Sequence, residues 1–232
     1  MNPSGLRHEL TRRIGRRVDL VAHKRAVRIA RRSETIQDLY EAYKNDRRRD
    51  ILRSLIPTGG VGAELGVHKG HLTPKLVEWF QPDRLYVVDP WYLLSPTWDW
   101  AAGDKSTVNA LARTVRRLRP ALEAGRAEIV VADDLVFLAG LADHALDWVY
   151  LDSSHMYDHT MNELQLLIRK VKPGGVIAGD DWQPEPDHPH HGVCRAVREF
   201  EANGELEIRY ASGDDHQWAA RVCEHRSPAR GD

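Results

Sequence analysis

From residue 61 onward, the sequence alternates short apolar runs typical of β-strands with longer segments of helical periodicity. The strand-like runs cover residues 61–66, 84–89, 128–133, 147–152 and 174–179, and the helical patterns cover 72–80, 106–118, 158–171 and 192–202. Such alternation is produced by right-handed crossovers between parallel strands. The pattern therefore predicts an α/β fold with a doubly wound, mostly parallel sheet. Two last apolar runs, at 206–212 and 217–223, predict an antiparallel hairpin that closes the sheet.

The first part of the chain has a different pattern, which predicts helices without strands. An amphipathic helix is indicated by apolar residues three or four positions apart, namely Leu6, Leu10, Ile14, Val18 and Val21. A second helix is predicted at about residues 34–55, where Pro57 follows as a stop. We therefore divide the chain into a basic helical extension (1–56), an α/β domain (57–224) and a flexible tail (225–232).

Charge is unevenly distributed along the 232 residues, although the formal net charge is only −1. Residues 1–53 contain 15 Lys and Arg against 7 Asp and Glu, so the remaining body is acidic. The basic arm could bind an anionic partner, dock on its own acidic body, or form a homo-oligomer contact. No apolar stretch approaches the ~18 residues that span a bilayer, and two cysteines without a CxxC motif indicate reduced thiols. These features predict a cytoplasmic protein with no membrane span.

Acidic residues follow two neighbouring runs of the predicted sheet. Asp152 ends VYLD and His155 follows it, while Asp180 and Asp181 follow VIAG. Parallel strands deliver their carboxyl ends to one crevice, so these groups are expected to meet around a hard cation. Oxygen ligands favour Mg²⁺ or Ca²⁺, and Mg²⁺ keeps positions open for substrate oxygens. Helix N-capping by Asp152 and Asp181 is the structural alternative.

The first strand leads into ELGVHKG, which has the features of a cofactor-binding turn. Gly66 and Gly70 let the backbone turn tightly and approach a ligand closely. Glu64 would repel a pyrophosphate but would attract a ligand with a cationic amino acid moiety. Asp89 ends the second strand, where an acid can accept hydrogen bonds from both ribose hydroxyls of an adenosine. Asp133 ends the third strand, where it can accept from an adenine amino group. Acids are also common at strand ends because strand ends face water.

These motifs resemble those of class I S-adenosylmethionine-dependent methyltransferases, which have a Rossmann-like fold. Within that class the chain is similar to the macrocin/mycinamicin sugar O-methyltransferase-like group. The matching segments are GAELGVHKG, VVDPW, LDSSHMYDH, KPGGVIAGDD and GVCRAVREF, which span most of the chain after residue 57 and little of the basic arm.

The resemblance assigns the cofactor contacts and the metal ligands residue by residue. It implies that Gly66 and Gly70 face the methionine and ribose part of S-adenosylmethionine, Asp89 the ribose and Asp133 the adenine. Glu64 would act through water or orient the loop. It also implies a metal held by three carboxylates and a catalytic base at His155, with the metal ligands being Asp152, Asp180 and Asp181. Some relatives place an Asp where this chain has Ser154, which leaves the base open if His155 points away.

The predicted function is an S-adenosylmethionine- and Mg²⁺-dependent O-methyltransferase. Its predicted partner is a small hydroxylated acceptor, such as the sugar moiety of a natural product or a glycolipid. One alternative is a methyltransferase that binds nucleic acid through the basic arm, although the acidic body argues against a nucleic-acid partner. Another alternative is a non-catalytic protein that binds S-adenosylmethionine and uses its N-terminal helices for assembly.

Overall fold

The computed structural model of the chain describes residues 34–91 and 105–224. The predicted helix at residues 6–21 and the predicted tail at 225–232 lie outside these ranges. Within the described ranges the elements are α1 (Glu34–Leu55), β1 (Val61–Leu65), α2 (Thr73–Phe80), β2 (Arg84–Asp89), α3 (Lys105–Glu123), β3 (Ala127–Val131), α4 (Asp134–Gly140), β4 (Leu146–Leu151), α5 (Tyr157–Lys170), β5 (Val171–Gly179), α6 (His191–Ala202), β6 (Leu206–Ser212) and β7 (Gln217–Val222).

The seven strands form one sheet in the order β3-β2-β1-β4-β5-β7-β6. The first five strands pair in parallel, whereas β7 is antiparallel to both β5 and β6. This arrangement confirms the predicted doubly wound sheet with its C-terminal hairpin. The strand order reverses between β1 and β4, and ligands of such sheets bind at the carboxyl ends of the strands beside this reversal.

Two apolar cores cover the two faces of the sheet. Successive side chains of a strand point to opposite faces, so Ala63 and Leu65 join the core formed with α5 and α6. Val87 and Tyr150 join the other core, which includes Leu52 of α1 and residues of α2 and α3. Glu64 lies between Ala63 and Leu65 and therefore belongs to the second face.

Two helices differ from the sequence prediction. The helix α4 was missed, because its seven residues are too few to show helical periodicity. The helix α3 continues to Glu123, beyond the predicted end at residue 118, and contains Pro120 in its interior. Proline normally ends or kinks a helix, but α3 continues past Pro120 to Glu123.

The described residues from 45 to 224 belong to one compact unit, which contains the sheet and the second half of α1, and residues 34–44 belong to a separate unit. The predicted division at residue 57 stays a prediction. Both cysteines are free thiols. None of the helices within the described ranges combines the length and the apolar character needed to cross a membrane.

Candidate active site

The carboxyl ends of β4 and β5 bring three carboxylates together. Leu151 pairs with Gly179 in the parallel register, and the Asp180 amide donates to the Leu151 carbonyl at 3.1 Å. Asp152 therefore lies beside Asp180 and Asp181. One oxygen from each of the three carboxylates lies within 4.8 Å of the others. The three predicted ligands thus lie close enough to bind one cation.

Each carboxylate oxygen of Asp181 contacts one imidazole ring. His155 Nδ1 lies 2.7 Å from Oδ2, and His190 Nδ1 lies 2.9 Å from Oδ1. The two rings stack with their centroids 4.2 Å apart. Burial opposes ionisation of Asp181, but the two imidazoles outweigh it and hold the pKa of this carboxyl well below its usual range. Burial alone would lower the pKa of His155, but the hydrogen bond to Asp181 raises it.

Asp180 is held by two buried donors that sequence reasoning did not identify. The Arg48 guanidinium donates to Oδ2, and the Gln217 amide donates to Oδ1 at 2.6 Å. The Arg48 side chain is only 4% exposed, so its charge pairs with Asp180 largely out of water. Helical spacing is the one sequence signal for a buried Arg48, because this residue lies four positions before Leu52 and shares its buried helical face.

The donor set fits a divalent cation. A carboxylate oxygen has two lone pairs, so each oxygen of Asp180 and Asp181 can accept one hydrogen bond and still bind a metal. Three carboxylates supply hard ligands for Mg²⁺, and the imidazoles of His155 and His190 add nitrogen donors that other divalent metals accept. Arg48 compensates part of the negative charge.

The turn after β1 packs directly against the end of β4. Gly66 adopts φ +83°, and a Cβ built on it would lie 2.0 Å from the carbonyl oxygen of Asp152. Gly70 adopts φ +64°, and its Cβ would lie 2.9 Å from Thr114 Oγ1. Both glycines are therefore required by backbone conformation and by lack of space. The predicted cofactor turn and the first predicted metal ligand are neighbours.

Gly66→Ala is expected to destabilise the fold by about 3 kcal/mol, because it combines left-handed strain with a clash against backbone that cannot move aside. Gly125→Ala is the matched control, since Gly125 has φ +66° but an added Cβ would meet nothing within 4 Å. The control should cost about 1 kcal/mol. Urea unfolding measures both. Equal losses in the two variants would contradict the close packing of the turn.

Asp89 organises this turn from the end of β2. Its Oδ2 accepts the amides of Val67 and His68 at 2.9 and 2.8 Å, and its Oδ1 accepts the Trp91 amide at 2.7 Å. Trp91 is buried and its indole donates to the His68 carbonyl. Burial raises the pKa of Asp89, while the three amides oppose that shift. Asp89 holds the loop in place, and its contact with ribose stays a prediction.

Asp133 caps the helix α4. Its Oδ1 accepts the amides of Leu135 and Val136 at 3.0 and 3.3 Å. The helix that the sequence analysis did not predict therefore begins directly after this residue, which is exposed to solvent. Capping alone accounts for an Asp here, and its contact with adenine stays a prediction.

Glu64 is a buried carboxyl below the crevice. It is 2% exposed, and its Oε2 has no hydrogen-bond partner among the described residues. Burial raises the pKa of Glu64 to about 8, although Thr73 and Arg48 oppose the shift. The group is therefore mostly protonated near neutral pH. A cation bound next to it would favour its ionised form.

Comparison with known proteins identifies this combination of sheet and crevice. The family model described as "Methyltransferase domain" matches residues 63–182, which is more than half of the chain. The chain therefore belongs to that family of methyltransferase domains. None of the curated proteins matches it significantly.

Solved structures show the same fold at low sequence identity. A Methanococcus maripaludis protein assigned as an S-adenosyl-L-methionine-dependent methyltransferase is 14% identical, with a TM-score of 0.59 over 87% of this chain and 93% of the other. A cofactor-bound MTB protein is 20% identical, with a TM-score of 0.53 over 71% and 73%. An rRNA methylase from Streptococcus thermophilus is 12% identical, with a TM-score of 0.51 over 77% and 95%. The fold is that of class I S-adenosylmethionine-dependent methyltransferases.

Proposed function

We propose that the protein is an S-adenosylmethionine- and Mg²⁺-dependent O-methyltransferase. Its acceptor is a hydroxyl of a small polyhydroxylated molecule, such as the sugar moiety of a natural product or a glycolipid. The observation that carries the proposal is the contact between the Gly66 turn and Asp152. This contact puts a three-carboxylate cluster beside the turn where class I folds bind their cofactor.

The roles of the polar groups follow from the hydrogen bonds around Asp181. Asp152, Asp180 and Asp181 would hold the divalent cation, whose charge would make a nearby alcohol more acidic. His155 accepts the acceptor's proton. With Nδ1 bonded to Asp181, its Nε2 is the nitrogen free to act as base. The acceptor oxygen then attacks the methyl carbon in line with the carbon–sulfur bond. The bonding pair leaves on sulfur, which gives a methyl ether and S-adenosylhomocysteine.

The test compares binding and turnover in the same set of variants. Calorimetry measures S-adenosylmethionine binding, and radiolabelled methyl transfer to a panel of glycosides measures turnover with Mg²⁺ or with a chelator. We expect His155→Gln to lower kcat by about 10²- to 10⁴-fold without weakening cofactor binding. His190→Gln is the matched comparison, because His190 bonds to the other oxygen of Asp181. A greater loss of kcat in His190→Gln than in His155→Gln would indicate that His190 is the base. Full turnover in the presence of the chelator would show that the reaction needs no metal.

Nucleic acid is the second candidate acceptor. The excess of Lys and Arg in residues 1–53 favours it, and one structural neighbour is an rRNA methylase. This candidate requires RNA binding that weakens steeply with salt and is lost when residues 1–33 are deleted. Cofactor binding without transfer to any glycoside or RNA would instead favour a non-catalytic binding protein.

A further inference from the structure

A second cluster of potential metal ligands lies outside the candidate active site, where α4 packs against α5. It consists of Asp134, the first residue of α4, with His159 and Glu163 of α5. Residues four apart on a helix share one face, so His159 and Glu163 both point towards the start of α4. The function proposed above uses none of these three side chains.

The distances in this cluster match a coordination sphere. His159 Nε2 lies 3.0 Å from each oxygen of Asp134 and 3.7 Å from Glu163 Oε1. One atom from each residue lies within 4.8 Å of the others. Ligands of tetrahedral Zn²⁺, bound at about 2.0–2.2 Å, are separated by roughly 3.3 Å. A zinc ion could therefore be bound with small side-chain movements.

Glu163 supplies an independent sign that a ligand is missing from this cluster. Its side chain is fully buried, and no donor among the described residues reaches Oε2, so the carboxyl can bond to the neighbouring Asp134 only through a shared proton or a cation. The other oxygen, Oε1, accepts the Ser153 hydroxyl. Burial and the Asp134 charge together raise the pKa of Glu163 well above its ordinary value. Two carboxylates this close repel each other unless a proton or a cation lies between them.

His159 brings a third potential ligand to the two carboxylates. Its Nε2 contacts both oxygens of Asp134, and this nitrogen can either donate a hydrogen bond there or bind a cation. Imidazole with two carboxylates is a ligand set of zinc sites, and water completes the coordination. The His159 side chain is 28% exposed, which gives an ion and a water molecule access from one side.

We propose that Asp134, His159 and Glu163 bind a structural Zn²⁺. The ion ties the start of α4, next to the Asp133 cap, to the helix that follows Asp152 and His155. Binding displaces protons from Glu163 and His159, so the affinity rises with pH. The expected consequence is that the N-terminus of α4 and the N-terminal half of α5 are held at a fixed distance from each other.

The test uses the full chain carrying Asp181→Asn, which removes the carboxylate shared by both ligand groups of the candidate active site and leaves the second cluster intact. Chelator-treated protein is dialysed against zinc at pH 7.5, and bound metal is measured by mass spectrometry. We expect one equivalent of zinc, and none after His159→Gln or Glu163→Gln is added. Asp158→Asn, which removes an exposed carboxylate of α5, should keep one equivalent.

Thermal unfolding provides a second readout and a check on folding. Zinc should raise the unfolding midpoint of the Asp181→Asn protein and leave that of the double variant with His159→Gln unchanged. Glu163→Gln preserves side-chain shape, so it covers the case in which His159→Gln fails to fold. No zinc uptake by Asp181→Asn, or equal uptake after His159→Gln and Glu163→Gln, would overturn the proposal in favour of a proton shared between Asp134 and Glu163. None of these outcomes depends on the methyl acceptor or on Mg²⁺.

Discussion

Arg48→Met is expected to destabilise the protein by about 3–5 kcal/mol, because it leaves the buried Asp180 carboxylate without its cation. Methionine has a similar length and keeps the apolar part of the packing. Urea unfolding in the presence of a chelator measures the loss. Arg47→Met is the matched control on the same helix, since the Arg47 side chain is 46% exposed and its pair with Asp215 should contribute at most about 1 kcal/mol.

Two further measurements separate the charge effect from lost packing. Adding Asp180→Asn to Arg48→Met should recover stability, because the uncompensated charge is removed as well. Excess Mg²⁺ should also recover stability in Arg48→Met, since a bound cation replaces the guanidinium charge and stabilises by mass action. Similar small losses in Arg48→Met and Arg47→Met would contradict the buried ion pair. If Asp180→Asn restores stability but Mg²⁺ does not, the buried ion pair is supported and the metal site is contradicted.

Glu64→Gln is expected to change how stability depends on pH. The pKa of Glu64 is raised from 4.5 to about 8 in the folded protein. The folded state therefore retains a proton that the unfolded state loses above about pH 4.5. This contribution to stability is fully present below pH 4.5 and is lost as the pH rises to about 8. The total change is up to about 5 kcal/mol, at no more than about 1.4 kcal/mol per pH unit.

The measurement is urea unfolding at pH 5 and pH 8 for wild type and Glu64→Gln. Glutamine cannot ionise, so the variant should gain stability relative to wild type at pH 8. Glu78→Gln is the control, because the Glu78 side chain is 62% exposed and its charge stays in water. A wild-type minus variant difference that is constant between pH 5 and pH 8 would show that Glu64 is not the buried acid described above.

Much of the architecture was predictable because strands and helices leave different periods in the sequence. The parallel strands, the C-terminal hairpin and α1 were all predicted close to their observed bounds. The convergence of Asp152, Asp180 and Asp181 was also predictable, since adjacent parallel strands end at one edge. The helix α4 was missed, because seven residues after an Asp look like any polar turn.

The interactions that hold the site together were less visible in the sequence. Arg48 contacts a residue 132 positions away, and no local pattern reports so distant a pairing. His190 lies far from His155 in the sequence, yet it bonds to the same carboxylate. Asp133 and Asp89 were predicted for a ligand, whereas the structure shows what they do for the backbone. The long-range partners of charged groups are set by tertiary packing and not by the spacing of residues in the sequence.

The position of β7 has a consequence for how the protein matures. This strand inserts between β5 and β6, and its first two residues both donate hydrogen bonds to Asp180. The Gln217 amide donates to the Asp180 carboxylate, and the Trp218 indole donates to the Asp180 main-chain carbonyl. During synthesis on the ribosome, the cluster therefore stays unfinished until the last strand of the sheet has emerged and docked. A nascent chain that stops short of residue 217 would have most of its sheet, but its Asp180 would lack the hydrogen bonds from Gln217 and Trp218.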